Sequence, residues 1–247
     1  MKKSIHLLLG CMIIPLLGFS QKQTNNINRM WFGFMNQSRF SKHWGMWADA
    51  HLRTDDNFVD QFSSSIFRIG ATYYFTDQVK LTAAYAYIHE YPNASHQNIS
   101  RPEHRPWQQL QWHSKYGKQK MMQWFRLEER YRRKILNDNK LADGYQFNWR
   151  VRYNIQYEIP LSKNAANPGG LSWIISDEIL VNMGKEVVNN YFDHNRFFTG
   201  LKIQVNKHDN FQIGYLNVFQ QLSSGNHYNN FHIIRLFYFQ NLDFRKK

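Results

Sequence analysis

Cysteine occurs once in 247 residues, at Cys11. If the first twenty residues are removed on export, no thiol remains. Disulfides, Cys-based metal sites and thiol redox chemistry are then excluded. Long apolar runs are also missing. The stretch from Leu7 to Phe19 is broken by Pro15 and falls short of the roughly 20 residues of a membrane helix. No other segment reaches that length. Acidic residues are few, 18 Asp and Glu against 31 Lys and Arg, for a formal charge of +13. There is no Gly-rich phosphate loop, no His-Glu-x-x-His run and no clustered metal spacing. No cofactor and no metal site are therefore expected.

What the chain does have is a two-residue beat from Asn28 to Phe244. It is clearest from Tyr145 to Tyr157, where odd positions are aromatic or β-branched and even positions are Gln, Asn or Arg. Side chains on a strand alternate between faces, so this segment has one apolar face and one face carrying Arg150 and Arg152. The beat averages to a mean hydropathy of −0.63. That value hides barrel strands, which mix polar and apolar residues by design. Aromatics make up 17% of the chain, too many for disorder and suited to the interfacial girdles of a membrane barrel.

Residues 1–20 read as a signal peptide, with Lys2 and Lys3 as the basic start, an apolar segment from Leu7 to Phe19, and a cleavage point at Ser20–Gln21. Leu8, Leu9, Gly10 and Cys11 also resemble a lipoprotein box. The apolar run continues past Cys11 through Leu16 and Leu17, which favours simple cleavage. Losing Lys2 and Lys3 lowers the formal charge from +13 to +11. Export makes nucleic acid an improbable partner. It turns the basic excess toward lipopolysaccharide phosphates or an arginine-lined lumen.

Eleven strands are marked by the beat, at about 29–39, 43–53, 62–75, 78–89, 104–115, 120–133, 144–157, 171–183, 195–205, 209–220 and 228–242. Connections alternate between tight (Ser41–Lys42, Thr76–Asp77, Gly117–Lys118, Lys207–His208) and longer (54–61, 90–103, 134–143, 184–194, 221–227). Residues 160–170 form one unusually long turn on the tight side. The expected fold is all-β: a transmembrane antiparallel up-and-down β-barrel over residues 21–247, in a bacterial outer membrane. Single-chain bacterial barrels have even strand numbers, so about twelve strands are expected, with ten as the fallback. Tyr238, Gln240, Leu242 and Phe244 alternate toward a terminal aromatic, which resembles the signal read by barrel-assembly machinery.

On a strand, Arg126, Glu128, Arg130 and Arg132 share one face, opposite Phe125, Leu127 and Tyr131. Arg150, Arg152, Glu178, Arg196, Lys202 and Arg235 come from other strands. The favoured reading is a lumen filled by an ion-pair network, since interior arginines need carboxylates or carbonyls. The sharper reading is an anion-lined pore or a site for an acidic ligand. Glu103, His104 and Arg105 sit where a long loop enters a strand. They are candidates for the barrel mouth: Glu103 and His104 could form a general base pair or a metal site, and the favoured reading is a loop anchor with Trp107 at the lipid interface. Asp177 and Glu178 are adjacent in a strand, so one carboxylate must face the apolar side unless a bulge re-aims it.

An enzyme acting on lipid or lipopolysaccharide is the rival reading, and it needs a Ser nucleophile beside a His. His113–Ser114 and His51 with Ser63 or Ser65 are the pairs on offer, and neither spacing is specific. No catalytic residue is assigned. A soluble periplasmic β-sandwich is a third reading, and it would require the apolar faces to pack on each other.

The chain resembles the DUF2490 proteins. The resemblance runs over about residues 28–240. It is carried by Trp31 to Asn36, Trp44 to Arg53, Glu103 to Gln109, Phe125 to Arg130, Arg150 to Tyr153, Asp177–Glu178, Asp193 to Phe197 and Gly214 to Asn217. It implies an outer-membrane barrel of a kind common in Bacteroidetes-type bacteria, with no established activity. The expected function is an outer-membrane barrel of structural or small-pore (porin-like) type with an Arg-rich lumen. Its expected partners are outer-membrane lipid, lipopolysaccharide and the assembly machinery.

Overall fold

The computed structural model describes residues 22–55, 57–93 and 96–245. The expected signal peptide and Cys11 lie outside them. Eleven strands are present among the described residues: β1 (Gln23–Arg39), β2 (Trp44–Thr54), β3 (Phe62–Tyr74), β4 (Val79–Glu90), β5 (Arg101–Tyr116), β6 (Gln119–Asn137), β7 (Lys140–Pro160), β8 (Leu171–Met183), β9 (Phe192–Gln204), β10 (Asp209–Gln221) and β11 (His227–Asp243). Each pairs antiparallel with its sequence neighbours, and β1 pairs with β11 to close the cylinder.

The closing pair is parallel, running from Gln23 opposite His227 to Arg39 opposite Asp243. The expectation of twelve strands rested on parity, because a ring of purely antiparallel pairs needs an even number. One parallel seam lifts that constraint, and the eleven segments marked along the sequence are the eleven staves of the barrel.

The alternation settles the facing. Phe67 and Ile69 are 58% and 60% exposed on the outer wall, while Arg68 between them points inward to a buried carboxylate. Leu81, Leu110, Phe125, Trp173, Phe197, Leu201 and Ile213 continue the apolar exterior around the ring. Tyr145, Tyr153 and Tyr157 lie outside, and Asn148, Arg150 and Arg152 lie inside. This is the arrangement of a barrel and not of a sandwich, whose apolar faces would be buried against each other.

The connections fall into two rims. The tight rim is held by side chains that cap their own turns. Ser41 Oγ accepts the Trp44 N–H at 3.0 Å, Thr76 Oγ1 accepts the Val79 N–H at 3.0 Å, and Asn206 Oδ1 accepts those of His208 and Asp209 at 2.7 and 2.9 Å. The long turn at 161–170 lies against β9, with Gly169 N–H donating to the Gln204 carbonyl at 2.8 Å. At this rim Asp77 accepts from Arg39 at 2.6 Å and Arg245 at 3.2 Å. The Arg39 hydrogen bond and charge hold the Asp77 carboxyl below its ordinary range.

On the other rim the expected loop at 134–143 is replaced by structure. β6 and β7 stay paired out to Asn137 opposite Lys140, through two register irregularities. The hairpin closes because Asn137 Oδ1 accepts the Asn139 N–H at 3.0 Å. β5 likewise starts at Arg101, several residues earlier than the sequence pattern suggests.

Candidate functional site

The inner wall is built from the polar phase of the alternation. Glu128 on β6 is its electrostatic centre and is 1% exposed. Arg150 on β7 donates Nε and Nη2 to Glu128 Oε2 at 2.8 and 2.6 Å, and Nη1 to Asp193 Oδ2 at 2.8 Å. Arg152 gives Nη1 to Glu128 Oε1 at 2.6 Å and Nε to Glu178 Oε1 at 2.5 Å. Arg130 grips Glu103 with both forks, at 2.8 and 3.1 Å, and Arg105 donates to the same carboxylate at 2.8 Å. A chain of alternating charges thus runs across β5 to β9. Unpaired, these ions would be costly to bury. Here the bidentate forks return much of that cost.

A second network lies across β2 and β3. Asp49 accepts from Arg68 Nε at 2.7 Å and from Trp47 Nε1. Arg68 Nη2 is 2.7 Å from His51 Nε2. Asp49 Oδ1 lies 3.1 Å from that same nitrogen, and the other ring nitrogen is His51 Nδ1. The latter is buried without a partner.

Two apolar clusters also face the lumen. Trp31, Ile174, Phe198, Leu216, Val218, Phe231, Ile233 and Phe237 form one inward cluster, and Trp47, Ile66, Ala86, Ile88 and Trp107 another. Gly200 and Gly214 face each other across β9 and β10. A Cβ on either would collide with the other strand and with the Phe198 ring, so glycine at both positions leaves room for that ring.

Between these walls lies a cavity of about 920 Å³. It begins at the rim of longer loops, near Ile27, Asp55, Asn93 and Leu222, and reaches inward to Gln37, Gln111, Met122 and Phe239. Beyond that level the lumen is packed. Lys80 donates to Gln37, Thr72 and Thr82 bond at 2.9 Å, and Lys202 clasps Glu158 at 3.0 and 3.1 Å with Ser172 on the same carboxylate at 3.2 Å. Lys80, Thr72, Thr82 and Ser172 are buried. These contacts narrow the lumen toward the tight rim and form the chamber's floor.

Ten arginines line the chamber, against three lining carboxylates, Asp55, Glu90 and Glu178. Asp49, Glu103, Glu128 and Asp193 stand behind them in the wall. The chamber therefore has more guanidinium than carboxylate.

The residues picked out in the sequence separate clearly. Arg126, Glu128, Arg130, Arg150, Arg152, Glu178 and Arg196 all reach the lumen. Arg126 bonds Gln109 at 2.8 and 2.5 Å and lies over Trp107 at 4.0 Å. Arg132 joins only at the edge, donating to Asn148 at 3.1 Å. Lys202 belongs to the floor. The pairing of Glu103 with His104 at the mouth does not form, because consecutive strand residues face opposite ways. Glu103 is buried inside, while His104 bonds Tyr85 on the exterior. Trp107, expected at an outer interface, is fully buried in the lumen. Asp177 does face outward and accepts twice from Asn195, at 3.0 and 3.1 Å.

Asp49, His51, Arg53, Arg68 and Asp193 were not singled out in the sequence as lumen partners. The inward parity of Asp49, His51 and Arg53 was readable, but their partners lie on other strands.

No Ser-His-carboxylate set is assembled among the described residues. His113 bonds Gln111 at 2.8 Å and His51 sits with Asp49 and Arg68. Ser224 contacts His227 at 3.1 Å, with Asn226 on the same ring nitrogen. No group of three His, Cys, Asp or Glu could hold a metal among the described residues.

A family model described as a protein of unknown function (DUF2490) matches residues 28–229. The chain belongs to the DUF2490 family. The match runs from within β1 through β10 to the opening of β11, and with them most residues of the charge network. No curated protein and no solved structure matches the chain.

Proposed function

We propose that this DUF2490 protein is an outer-membrane barrel of structural, small-chamber type, exported behind residues 1–20 and presenting an arginine-rich lumen to the side of its longer loops. One observation carries the reading: a closed ring of strands exposes Phe67, Ile69, Phe125, Trp173, Phe197 and Ile213 all around its outside. Soluble monomers rarely show contiguous apolar patches beyond a few hundred Å². In lipid this face needs no protein partner, and the closed sheet leaves no backbone edge unpaired. No helix of the described residues is long and apolar enough to cross a membrane, so spanning falls to the strands.

Outer-membrane lipid, lipopolysaccharide and the assembly machinery are the partners this reading implies. The floor of Lys80, Gln37, Lys202 and Glu158 favours a chamber over a wide pore, and the arginine excess gives anions the preference in whatever passes. Density-gradient fractionation should place the protein with outer-membrane markers. In planar bilayers wild type should conduct weakly and prefer anions, while Lys202→Ala with Lys80→Ala should raise anion conductance. Cation selectivity, or recovery in the soluble periplasmic fraction, would overturn the proposal.

A further inference from the structure

Three of the chamber's arginines are not used up by the ion-pair network. Arg53, among the described residues, makes no hydrogen bond and meets no carboxylate. Its guanidinium lies over the Trp31 ring at 3.7 Å, and its Nε is buried and unsatisfied. Arg196 faces the same ring at 5.4 Å. Its only carboxylate contact is Glu178 at 3.5 Å, an acid already taken by Arg152, and its Nε is also unsatisfied. Arg235 has one bond, to Gln212 at 2.7 Å, stands over Phe198 at 3.5 Å, and leaves a third Nε without an acceptor.

These side chains come from β2, β9 and β11 and all line the chamber. Trp31 brings them together: it is the cross-strand neighbour of Arg53 on one side and of Arg235 on the other. Stacking on aromatic faces holds a guanidinium in place without neutralising it. Buried cations of this kind call for a counter-anion, and among the described residues the one carboxylate in contact with any of the three is Glu178, which Arg196 shares with Arg152. Beside them the wall is greasy, with Leu216, Val218 and Phe231 lining the same space. A volume of about 920 Å³ is within the size of small-molecule pockets.

We infer that Arg53, Arg196 and Arg235 form a binding site for an amphipathic anion, a carboxylate or phosphate head on an apolar body, with the head on the three guanidinium groups and the body along Leu216, Val218 and Phe231. This rests on the outer-membrane chamber reading and specifies what the chamber holds. An inorganic anion would satisfy the arginines and leave the apolar wall wet. A neutral lipid would fill the wall and leave the arginines bare.

The test uses the whole barrel, refolded and held in amphipol, titrated calorimetrically with decyl phosphate, decanoate, decanol and inorganic phosphate. At least one of the two amphipathic anions should bind saturably, about tenfold or more tighter than decanol and inorganic phosphate. Whichever head binds tighter identifies the source as a phosphorylated lipid or a fatty acid. Arg53→Gln should weaken that binding about tenfold or more without loss of fold, since Arg53 has no bond to lose. Lys118→Gln, in the turn at the floored end, should leave it unchanged.

Equal binding of decanol, tighter binding of inorganic phosphate, or an unaffected Arg53→Gln would each overturn the inference. To separate its failure from that of the chamber itself, Ser64→Cys places a thiol in the chamber lining of a chain lacking Cys11. Labelling of that thiol by a small water-soluble maleimide, without anion binding, refutes the site alone. No labelling refutes the chamber.

Discussion

Replacing Glu128 by Gln tests the central physical claim, that one buried carboxylate holds the inner wall together. The carboxylate accepts three close guanidinium hydrogen bonds, two from Arg150 and one from Arg152, and has Arg126 and Arg105 at 3.7 and 3.8 Å. Bonds to charged groups contribute roughly 1.5–3 kcal/mol each, but their simple total overstates the loss. Arg150 keeps Asp193, Arg152 keeps Glu178, and the amide retains one acceptor oxygen. Its NH₂ group, however, would point donors at donors. Breaking a buried pair from one side typically costs about 3–5 kcal/mol, and Glu128→Gln should fall in that range. The control is the next residue. Glu129 faces the other way and has only a long contact to Gln108, at 3.5 Å, so Glu129→Gln should change stability by less than about 1 kcal/mol. Urea unfolding of the barrel in lipid vesicles, followed by tryptophan fluorescence, gives both numbers as midpoint shifts at constant slope. The reasoning is refuted if Glu128→Gln lies within about 1 kcal/mol of wild type, or if the two neighbours cost the same.

Two further predictions address the fold. Gly70 on β3 packs so closely on β4 that a Cβ would run into Ala84 and the Ala83 carbonyl. Gly70→Ala should therefore cost about 1–3 kcal/mol in the same unfolding assay, and a neutral result would mean the β3–β4 register is wrong. Asn26 and Asn230 sit opposite each other on the parallel seam, with their side chains bonded at 2.9 Å. Cysteines at both positions, in a chain lacking Cys11, should cross-link in the folded barrel, as read by gel mobility before and after reduction. Failure to cross-link would argue for a different closure.

Much of the wall was legible in the sequence because the beat of two survives wherever one face is polar. The stretch Tyr145–Tyr157 and the face of Arg126, Glu128 and Arg130 gave both strand and orientation. The beat fails where both faces are apolar. Phe197 and Phe198 are consecutive, as are Ile233 and Ile234, and only the structure shows that Phe198 and Ile233 line the lumen. The greasy half of the chamber was hidden for that reason. Pairing was hidden as well, since strand parity says which residues face inward but not which of them meet across the ring. The link from Arg150 to Asp193 joins β7 to β9 past an intervening strand. The even count of about twelve assumes an antiparallel seam; the parallel seam makes the eleven segments marked by the beat the whole ring.

The parallel seam also fixes the sidedness of the polypeptide. Its two strands run the same way, so Gln23 leaves through the mouth of longer loops and Asp243 through the floored mouth. An even-stranded cylinder would bring both ends out at one mouth, whereas this one brings them out at opposite mouths. In a barrel that spans a membrane as proposed, a protease supplied from one side of a sealed vesicle would reach an epitope at one terminus and not the other.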